Sequence, residues 1–502
     1  MTAKKKQDLL DKSLLWIAGL SLLTLVGYIL VRFNFAYTDM DQVMMWYGAS
    51  EFRSGDFHMF RYFGQEYGTM LEALLGSVLI GVPFHISLPL VTAFLLLFPY
   101  AVIANTNGNK LDSWLLPIGF LLLFPPEFFM LGFMPRDFVT GTAVVSLSLF
   151  LLNKKSGWSY FLIGFICIIA WSMQQNSALF GAVVSVYAAF KTVRLHIRNT
   201  ALMAAGYGFG ALLHLASAYY YQMHPEFIVH HAWDFHYAWK QVWDGWLNLK
   251  RHWAWITPAL HYQGWFYVVI LVTLLVVTYI KKQWALFMAT LTLCVITFAS
   301  FGVLKIHDAR DSVFFSHERM YLALPVSILF ILSKLKTTIP ISRFLVFGGL
   351  LLLPLSLFRF EGIKNADLEK KREHVVQVRT VEEFYSKCEL LESLADKYKV
   401  NAVLIGPNYS YFDIVSTHGC GSVVKDIRFL FPEYERKTWD MRDIKTDGTR
   451  RFLFHYTGEL ERDQFITDLS KIESINGLYL IELEDQNPLE YYQSKGFSVS
   501  AH

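Results

Sequence analysis

The sequence predicts an α-helical polytopic membrane protein with about eleven transmembrane helices and a C-terminal soluble α/β domain. Of its 502 residues, 54% are hydrophobic, a larger share than soluble domains usually have. Only 17% are charged, and long stretches before Leu357 lack charged residues, whereas the chain from Arg359 onward is rich in them. The prediction is therefore a transmembrane domain over 1–358 and an extracytoplasmic domain over 359–502.

Eleven apolar runs are long enough, or nearly long enough, to cross a bilayer. They cover 14–31, 86–104, 113–131, 138–152, 158–173, 177–190, 200–220, 264–280, 284–301, 319–333 and 343–358. The first run follows Lys4–Lys6 and resembles a signal peptide. It is long enough to span, however, and no small-residue cleavage pattern follows it, so a retained helix is predicted.

The basic loops fix the predicted orientation. If Lys4–Lys6 are cytoplasmic, the other short loops rich in Lys and Arg fall on the same side, as the positive-inside rule requires. An odd number of crossings then places the tail outside, and a bacterial inner membrane is the expected location. The formal net charge of +3 and the lack of a basic stripe argue against nucleic acid as a partner.

Two acids, Asp39 and Asp41, follow the first run in the stretch "YTDMDQ". Acids beside a membrane span are costly, which favours a functional role. A helix is predicted over 41–52, with Gly55 as its stop. The alternative is structural, because acids are favoured at helix starts and Asp39 fits a cap. The apolar segment 69–82, which carries Glu72, is too short to span and is predicted to lie in the outer leaflet.

This loop resembles the first loop of GT-C glycosyltransferases, polytopic enzymes that use polyprenyl-phosphate-linked sugars. The likeness extends over 37–76, is loose in the other spans and ends before the tail; the protein mannosyltransferase and aminoarabinose transferase group is most similar. That group has an Asp-Glu pair followed by Tyr-Gly-Gln-x-Tyr-x-Gly-x-Leu-Glu-Ala. The matching residues are Phe63, Gly64, Gln65, Tyr67, Leu71, Glu72 and Ala73. Phe63 replaces the usual Tyr, and Gly68 is one place early.

The resemblance implies a GT-C-like fold and an inverting glycosyl transfer on the extracytoplasmic face. By its distance to Gly55, Asp41 occupies the position of the catalytic Asp, while Gln42 replaces the Glu that usually follows. Asp41 is the expected base for the acceptor hydroxyl, and Asp39 is the second candidate or a metal ligand. Gln65, Tyr67 and Glu72 are expected to bind substrate. The acceptor is an envelope glycan, lipid or protein.

Two further outer segments offer polar groups. "MPRDF" supplies Arg136 and Asp137, and "SHERMYLALP" supplies Arg319 and Tyr321. An Arg at each place can bind a lipid phosphate through its planar guanidinium. The second segment also resembles the Arg-Tyr-Leu-x-x-Pro stretch of GT-C enzymes, with one inserted residue. The alternative is that both Arg side chains anchor the protein at the headgroups.

A divalent cation, Mg or Mn, is a possible cofactor. The carboxylates that could coordinate it are those of Asp39, Asp41, Asp137 and Glu127. Some GT-C enzymes use a metal and others work without one. The loop 221–263 is dense in His and Trp, but its spacings match no zinc site. It is better interpreted as an interfacial helix with an aromatic belt.

The remaining features leave alternatives open. Gln174–Asn176 can bond sugar hydroxyls or cap the next helix. Helical and strand-like runs alternate in the tail, and the strand-like ones are "NAVLIGP", "RRFLFHYT" and "GLYLIEL". The tail has no phosphate-binding loop. Its Cys388 and Cys420 are either disulfide-bonded or two free thiols. The tail is expected to bind the acceptor or a partner, or to brace the outer loops.

Two other functions compete with the transferase. A transporter or flippase for a lipid-linked glycan would bury ionisable groups near the midplane and show repeats, which this sequence lacks. A non-catalytic membrane scaffold would display the tail and tolerate loss of Asp41.

Overall fold

A computed structural model describes residues 3–35, 40–57, 61, 68–106, 110–134, 137–154, 156–191, 197–223, 236–258, 263–303, 317–335, 341–374, 380–405, 419–424, 427–430, 451–455, 470–471, 477–483, 490–491 and 494. The chain is mostly helical, with several apolar helices and a small C-terminal sheet. It divides into two compact units. The first unit comprises Met1–Asn34, Pro89–Ala216 and Asp234–Glu369, and the second comprises Phe35–Leu88, Ser217–Trp233 and Lys370–His502.

The helices are numbered here in chain order. They are α1 (Ala3–Ile29), α2 (Met40–Ser54), α3 (Leu71–Ser77), α4 (Phe84–Asn105), α5 (Lys110–Leu122), α6 (Pro126–Phe133), α7 (Thr140–Leu147), α8 (Gly157–Met173), α9 (Ala178–Phe190), α10 (Ile197–Met223), α11 (Trp239–Leu247), α12 (Leu249–Trp253), α13 (Trp265–Ile280), α14 (Trp284–Ser300), α15 (Ala323–Lys334), α16 (Ile341–His374) and α17 (Val381–Tyr398). A π-helical turn, Leu30–Asn34, follows α1, and short 3-10 turns cover Ser148–Phe150, Gln175–Ser177, His317–Tyr321 and Cys420–Ser422.

Among the described residues, four helices are long and apolar enough to cross a membrane, or five if one bent pair counts as a span. The four are Leu9–Asn34, Phe84–Asn105, Ile197–Met223 and Ile341–Gly362. Several other predicted spans form apolar helices of 10–17 residues, such as Gly157–Met173 and Trp284–Ser300. These are shorter than the roughly 20 residues that a straight crossing needs. The prediction of a helical membrane protein is therefore supported, but the predicted number of eleven transmembrane helices is not.

The bent pair replaces the predicted straight span 113–131. Ser113–Leu122 and Pro126–Phe133 meet at 98°; Pro125 lies in the break and Pro126 is the first residue of α6. Pro125 is extended at the N-cap of α6, with proline in its first turn. A proline disfavours the α conformation in the residue before it and lacks the N–H that would continue the preceding helix, so this apolar run cannot form one straight helix.

Glycines allow α8 and α10 to pack closely in the first unit. A Cβ added to Gly206 would overlap the carbonyl oxygen of Phe161, and one added to Gly164 would overlap that of Met203. The two backbones are thus in direct contact, which is how apolar helices associate without a hydrophobic driving force in lipid. The glycines of the stretch Gly206-x-x-x-Gly210 therefore pack against α8 of the same chain.

Two ion pairs join helices of the first unit. Asp11 of α1 pairs with Arg343 of α16 at 2.7 Å. Glu127 of α6 pairs with Arg359 of α16, also at 2.7 Å, and Glu127 is 2% exposed. Because a buried carboxylate is costly unless a cation neutralises it, these pairs fix which helix faces meet.

The second unit contains a five-stranded sheet built from β1 (Ala402–Ile405), β2 (Arg428–Leu430), β3 (Arg451–His455), β4 (Ser470–Lys471) and β5 (Leu478–Glu482). The strand order is β2-β1-β3-β5-β4. β1 pairs in parallel with β2 and β3, whereas β5 pairs antiparallel with β3 and β4. The strand-like runs identified in the sequence correspond to β1, β3 and β5, so the α/β prediction for the tail is confirmed over these strands.

Local sequence signals fix the ends of two helices in this unit. Thr380 caps α17 and forms a capping box with Glu383. α2 ends before Gly55, which has φ +93°, a value that glycine adopts without strain. The predicted helix with its stop at Gly55 is therefore confirmed.

One hydrophobic core joins the helices and strands of the second unit. It contains residues of α2, α3, α17 and the sheet: Val43, Met45, Trp46, Tyr47, Ala49, Phe52, Met70, Ala73, Phe384, Cys388, Leu391, Cys420, Phe429, Leu453 and Leu478 among others. A disulfide links Cys388 to Cys420, whereas Cys167 and Cys294 are free and buried. The pairing that the sequence left open is thus present.

Candidate functional site

The sequence-predicted residues divide between the two units. Asp41 and Glu72 belong to the second unit, and Asp137, Arg319 and Tyr321 belong to the first. Asp39, Gln65, Tyr67 and Arg136 lie outside the described residues, so their roles stay predictions.

In the first unit, a polar cluster forms where three turns meet. Asp137 and Phe138 precede α7, Asn176 lies in the 3-10 turn before α9, and Glu318 and Arg319 lie in the turn before α15. Asp137, Asn176, Glu318 and Arg319 are each at most 4% exposed. Burying four polar side chains is costly, and in an apolar helical unit such residues are functional candidates by default.

Asn176 holds this cluster together. Its Nδ2 donates to the carbonyl oxygen of Phe138 at 2.8 Å and to that of Arg319 at 3.1 Å. Its buried Oδ1 has no hydrogen-bond partner among the described residues. Gln174, by contrast, caps the turn by accepting from the backbone N–H of Gln175. Of the two sequence interpretations for these amides, Gln174 fits capping. Asn176 instead links the turn that carries Phe138 to the turn that carries Arg319, and its Oδ1 can still accept a hydrogen bond.

Two uncharged side chains contact the guanidinium of Arg319. Its Nη2 is 3.1 Å from Sδ of Met134, and its guanidinium carbon lies 5.5 Å from the ring centre of Phe138. A planar guanidinium over an aromatic ring is fixed in orientation, which suits recognition of a phosphate or carboxylate. Neither Met134 nor Phe138 was identified from the sequence, because apolar side chains carry no functional signature.

The acids of the cluster are also held in place. Oε2 of Glu318 accepts from the backbone N–H of Trp255 at 2.8 Å, which ties the segment after α12 to the same turn. Asp137 accepts from the hydroxyl of Thr140. Its φ is 64°, a value uncommon outside glycine, although Asp tolerates it better than most residues. Such backbone strain often accompanies a functional site.

Tyr321 is buried in an aromatic environment rather than in the polar cluster. Its hydroxyl lies 3.1 Å from Oγ of Ser300, and its ring packs against Trp253 and Phe301. These contacts keep the turn that carries Arg319 in a fixed position. A positioning role for Tyr321 therefore matches its surroundings better than direct contact with substrate.

In the second unit, Asp41 lies in the first turn of α2 and is half-buried. The free N–H groups and the macrodipole at a helix start stabilise the ionised carboxylate there. Gln42 is buried beside it, and Glu72 is fully buried in the first turn of α3. The segment 69–82, predicted to lie in the outer leaflet, thus forms a helix of only seven residues, α3, in which Glu72 is buried.

The possible metal ligands do not form a cluster in the part of the chain that is described. No group of three or more His, Cys, Asp or Glu side chains there is arranged to hold a metal ion. Glu127, offered as a ligand on sequence grounds, instead accepts from Nε of Arg359 at 2.8 Å. Asp39, another of the four acids that the sequence suggests as metal ligands, lies outside the described residues.

Comparison of the chain with protein-family models, curated proteins and solved structures finds no match.

Proposed function

We propose that the chain is an inverting glycosyltransferase that moves a sugar from a polyprenyl-phosphate-linked donor to an envelope acceptor. The eleven-span GT-C-like topology, with the N-terminus cytoplasmic and the tail outside, belongs to this proposal. The observation that carries it is the buried cluster of Asp137, Asn176, Glu318 and Arg319. Those residues come from separate segments that the sequence placed at the outer ends of predicted spans.

The proposed chemistry needs a base and a group that stabilises negative charge. The acceptor hydroxyl loses its proton to a carboxylate, and its oxygen bonds to the anomeric carbon from the face opposite the phosphate. The bond between that carbon and the phosphate oxygen breaks, and its electron pair leaves on the polyprenyl phosphate. Asp41 is the proposed base, because a helix start keeps its carboxylate ionised.

Charge on the departing phosphate requires fixed positive groups or hydrogen-bond donors. Arg319 is the described candidate, and Arg136 is proposed for the same task. A bidentate guanidinium matches two phosphate oxygens and is preferred to Lys where geometry matters. A divalent cation would supply the same stabilisation, with Asp39, Asp41 and Asp137 as its proposed ligands.

The first test is transfer activity in membranes supplied with radiolabelled polyprenyl-phosphate sugars. Asp41→Asn keeps the shape of the side chain and removes the base, so transfer should fall by roughly 10²–10⁴-fold, with donor accumulating. Asp56→Asn, the same change just beyond the other end of α2, is the matched control and should retain activity. Unchanged transfer in Asp41→Asn at equal expression would make Asp41 a helix cap only.

A transporter of a lipid-linked glycan is the second candidate. The ion pair between buried Glu127 and partly exposed Arg359 favours it, because ionisable groups inside a helical membrane unit are characteristic of transporters. The same membranes separate the two functions. A transporter moves labelled donor across the bilayer without forming labelled acceptor, and Asp41→Asn would leave that movement intact.

A further inference from the structure

Helix α2, which carries Asp41 in its first turn, packs into the same core as the C-terminal tail. Val43, Trp46 and Tyr47 of α2 are buried in the same core as Phe384 and Cys388 of α17. The rings of Trp46 and Phe384 meet edge to face, with centroids 5.2 Å apart. Such aromatic pairs contribute beyond their buried area and fix relative orientation. The tail therefore supports α2 from one side.

A second contact reaches the first turn of α2 directly. Gly419 and Gly421 flank Cys420 in the 3-10 turn Cys420–Ser422 and face Val43 and Tyr47, two positions one helical turn apart. A Cβ on Gly419 would overlap Cγ1 of Val43, and a Cβ on Gly421 would lie 2.8 Å from Cε2 of Tyr47. The backbone of the turn thus lies directly against side chains of α2, the first of them two residues after Asp41.

The disulfide holds this turn in place. Cys420 is bonded to Cys388, near the middle of α17, and both residues are fully buried. α17 is anchored to the start of α4 as well, since the hydroxyl of Tyr385 lies 2.7 Å from Nδ1 of His85. Burial raises the pKa of Tyr385 to about 12, so its hydroxyl keeps its proton at neutral pH.

We propose that the disulfide-bonded turn Cys420–Ser422, with Gly419, positions the first turn of α2 and thereby the carboxylate of Asp41. Two links connect α17 to α2: the disulfide joins Cys388 to Cys420, and the neighbouring Gly419 packs against Val43. Gly419 and the disulfide are therefore positioning residues, and the tail is a brace for the loop that carries the proposed base. The role given to Asp41 rests on the proposed function; the brace itself does not.

A double-mutant cycle on the full-length protein tests the contact between Gly419 and Val43. Gly419→Ala adds a methyl group that cannot fit beside Val43, so it should displace the first turn of α2. A displacement near 1 Å is expected to lower kcat roughly tenfold to a hundredfold while the KM for the donor stays unchanged. Val43→Ala removes the clashing methyl groups, so Gly419→Ala/Val43→Ala should recover most of kcat.

The matched control is Gly208→Ala in α10, where an added Cβ meets nothing within 4 Å. Normal kcat in Gly419→Ala, or a double variant no faster than that single variant, would overturn the proposal. A parallel rise in donor KM in all Gly419 variants would also oppose it, because it would indicate general loss of structure.

Hydrogen exchange tests the brace without reference to any reaction. In Cys388→Ala/Cys420→Ala, amides of 40–57 should exchange faster than in the wild type, whereas those of α8 and α9 should not change. Equal exchange at 40–57 would refute the brace. If the wild type transfers no sugar while exchange at 40–57 rises as expected, the proposed function fails and the brace stands.

Discussion

Glu127 is a carboxylate whose role depends on a residue far along the chain. In the sequence it follows two prolines and precedes a run of apolar residues. It was one of four acidic residues considered as metal ligands. In the structure its Oε1 is 2.7 Å from Nη2 of Arg359. The partner is 232 positions away, and no local pattern connects them. A buried acid can be recognised from sequence, but its partner cannot.

The same limit applies to the cluster around Arg319. Asp137, Arg319 and the amides at 174–176 were singled out because they lie at the outer ends of predicted spans, where an Arg can bind a lipid phosphate and an amide can bind sugar hydroxyls. That Asn176 donates to both the 138 and 319 carbonyls depends on how three turns meet. Met134 and Phe138, which contact Arg319, were missed because their side chains have no ionisable or ligating group.

Asn176→Asp should disrupt the first unit more than its small size suggests. The substitution preserves shape but replaces the only donating group of the side chain with an acceptor. The new carboxylate oxygen and the carbonyl oxygen of Phe138 then face each other without this donor, while the carbonyl oxygen of Arg319 keeps the backbone N–H of Leu322. Each unsatisfied group costs roughly 1–3 kcal/mol, which should appear as a clear loss of thermal stability in detergent. Gln175→Glu, the equivalent change at a half-buried neighbour, should cost much less. Equal stability of Asn176→Asp and wild type would exclude the linking role of Asn176.

At the scale of elements, turn chemistry was easier to predict than helix length. Gly55 after an amphipathic run indicated the end of α2, and β1, β3 and β5 were recognisable as short apolar runs bounded by turns. The run 113–131 was predicted as one span because, apart from Ser113 and Glu127, it is apolar. Its Pro125 and Pro126 divide it into α5 and α6, bent by 98°, so backbone constraints outweighed hydropathy.

The contact between α8 and α10 gives a prediction for these two elements. Gly206→Leu places a side chain where the carbonyl oxygen of Phe161 lies, so the helices must separate. Gly208→Leu, two residues away, points into open space and differs only in position. Gly206→Leu should lower the free energy of unfolding by about 1–3 kcal/mol or more, as overpacking does, and therefore lower the melting temperature in detergent, while Gly208→Leu stays near wild type. If both variants melt together, close packing at Gly206 does not stabilise the first unit.

At the scale of the whole molecule, the sequence indicated two kinds of structure but not how the chain is divided. Composition changes at 358/359, and that predicted boundary stays a prediction; helix α16 runs from Ile341 through His374. The second unit combines Phe35–Leu88 with the tail. The resemblance to GT-C first loops that the sequence suggests covers 37–76, within the first of these segments, and does not extend to the tail. Packing between such distant segments depends on shape complementarity, which periodicity does not encode.

The number of membrane crossings decides on which side the tail lies. Four crossings would return it to the side of the N-terminus, whereas five or eleven would place it opposite. The disulfide Cys388–Cys420 favours the opposite side, because disulfides persist in oxidising compartments and are rare in the cytosol. We therefore expect a reporter enzyme that folds only outside the cytoplasm to be active when fused after His502 and inactive when fused after Lys282, in a predicted cytoplasmic turn. Activity of a cytoplasm-specific reporter after His502 would instead require an even number of crossings, and would place Asp41's supporting core where its disulfide does not persist.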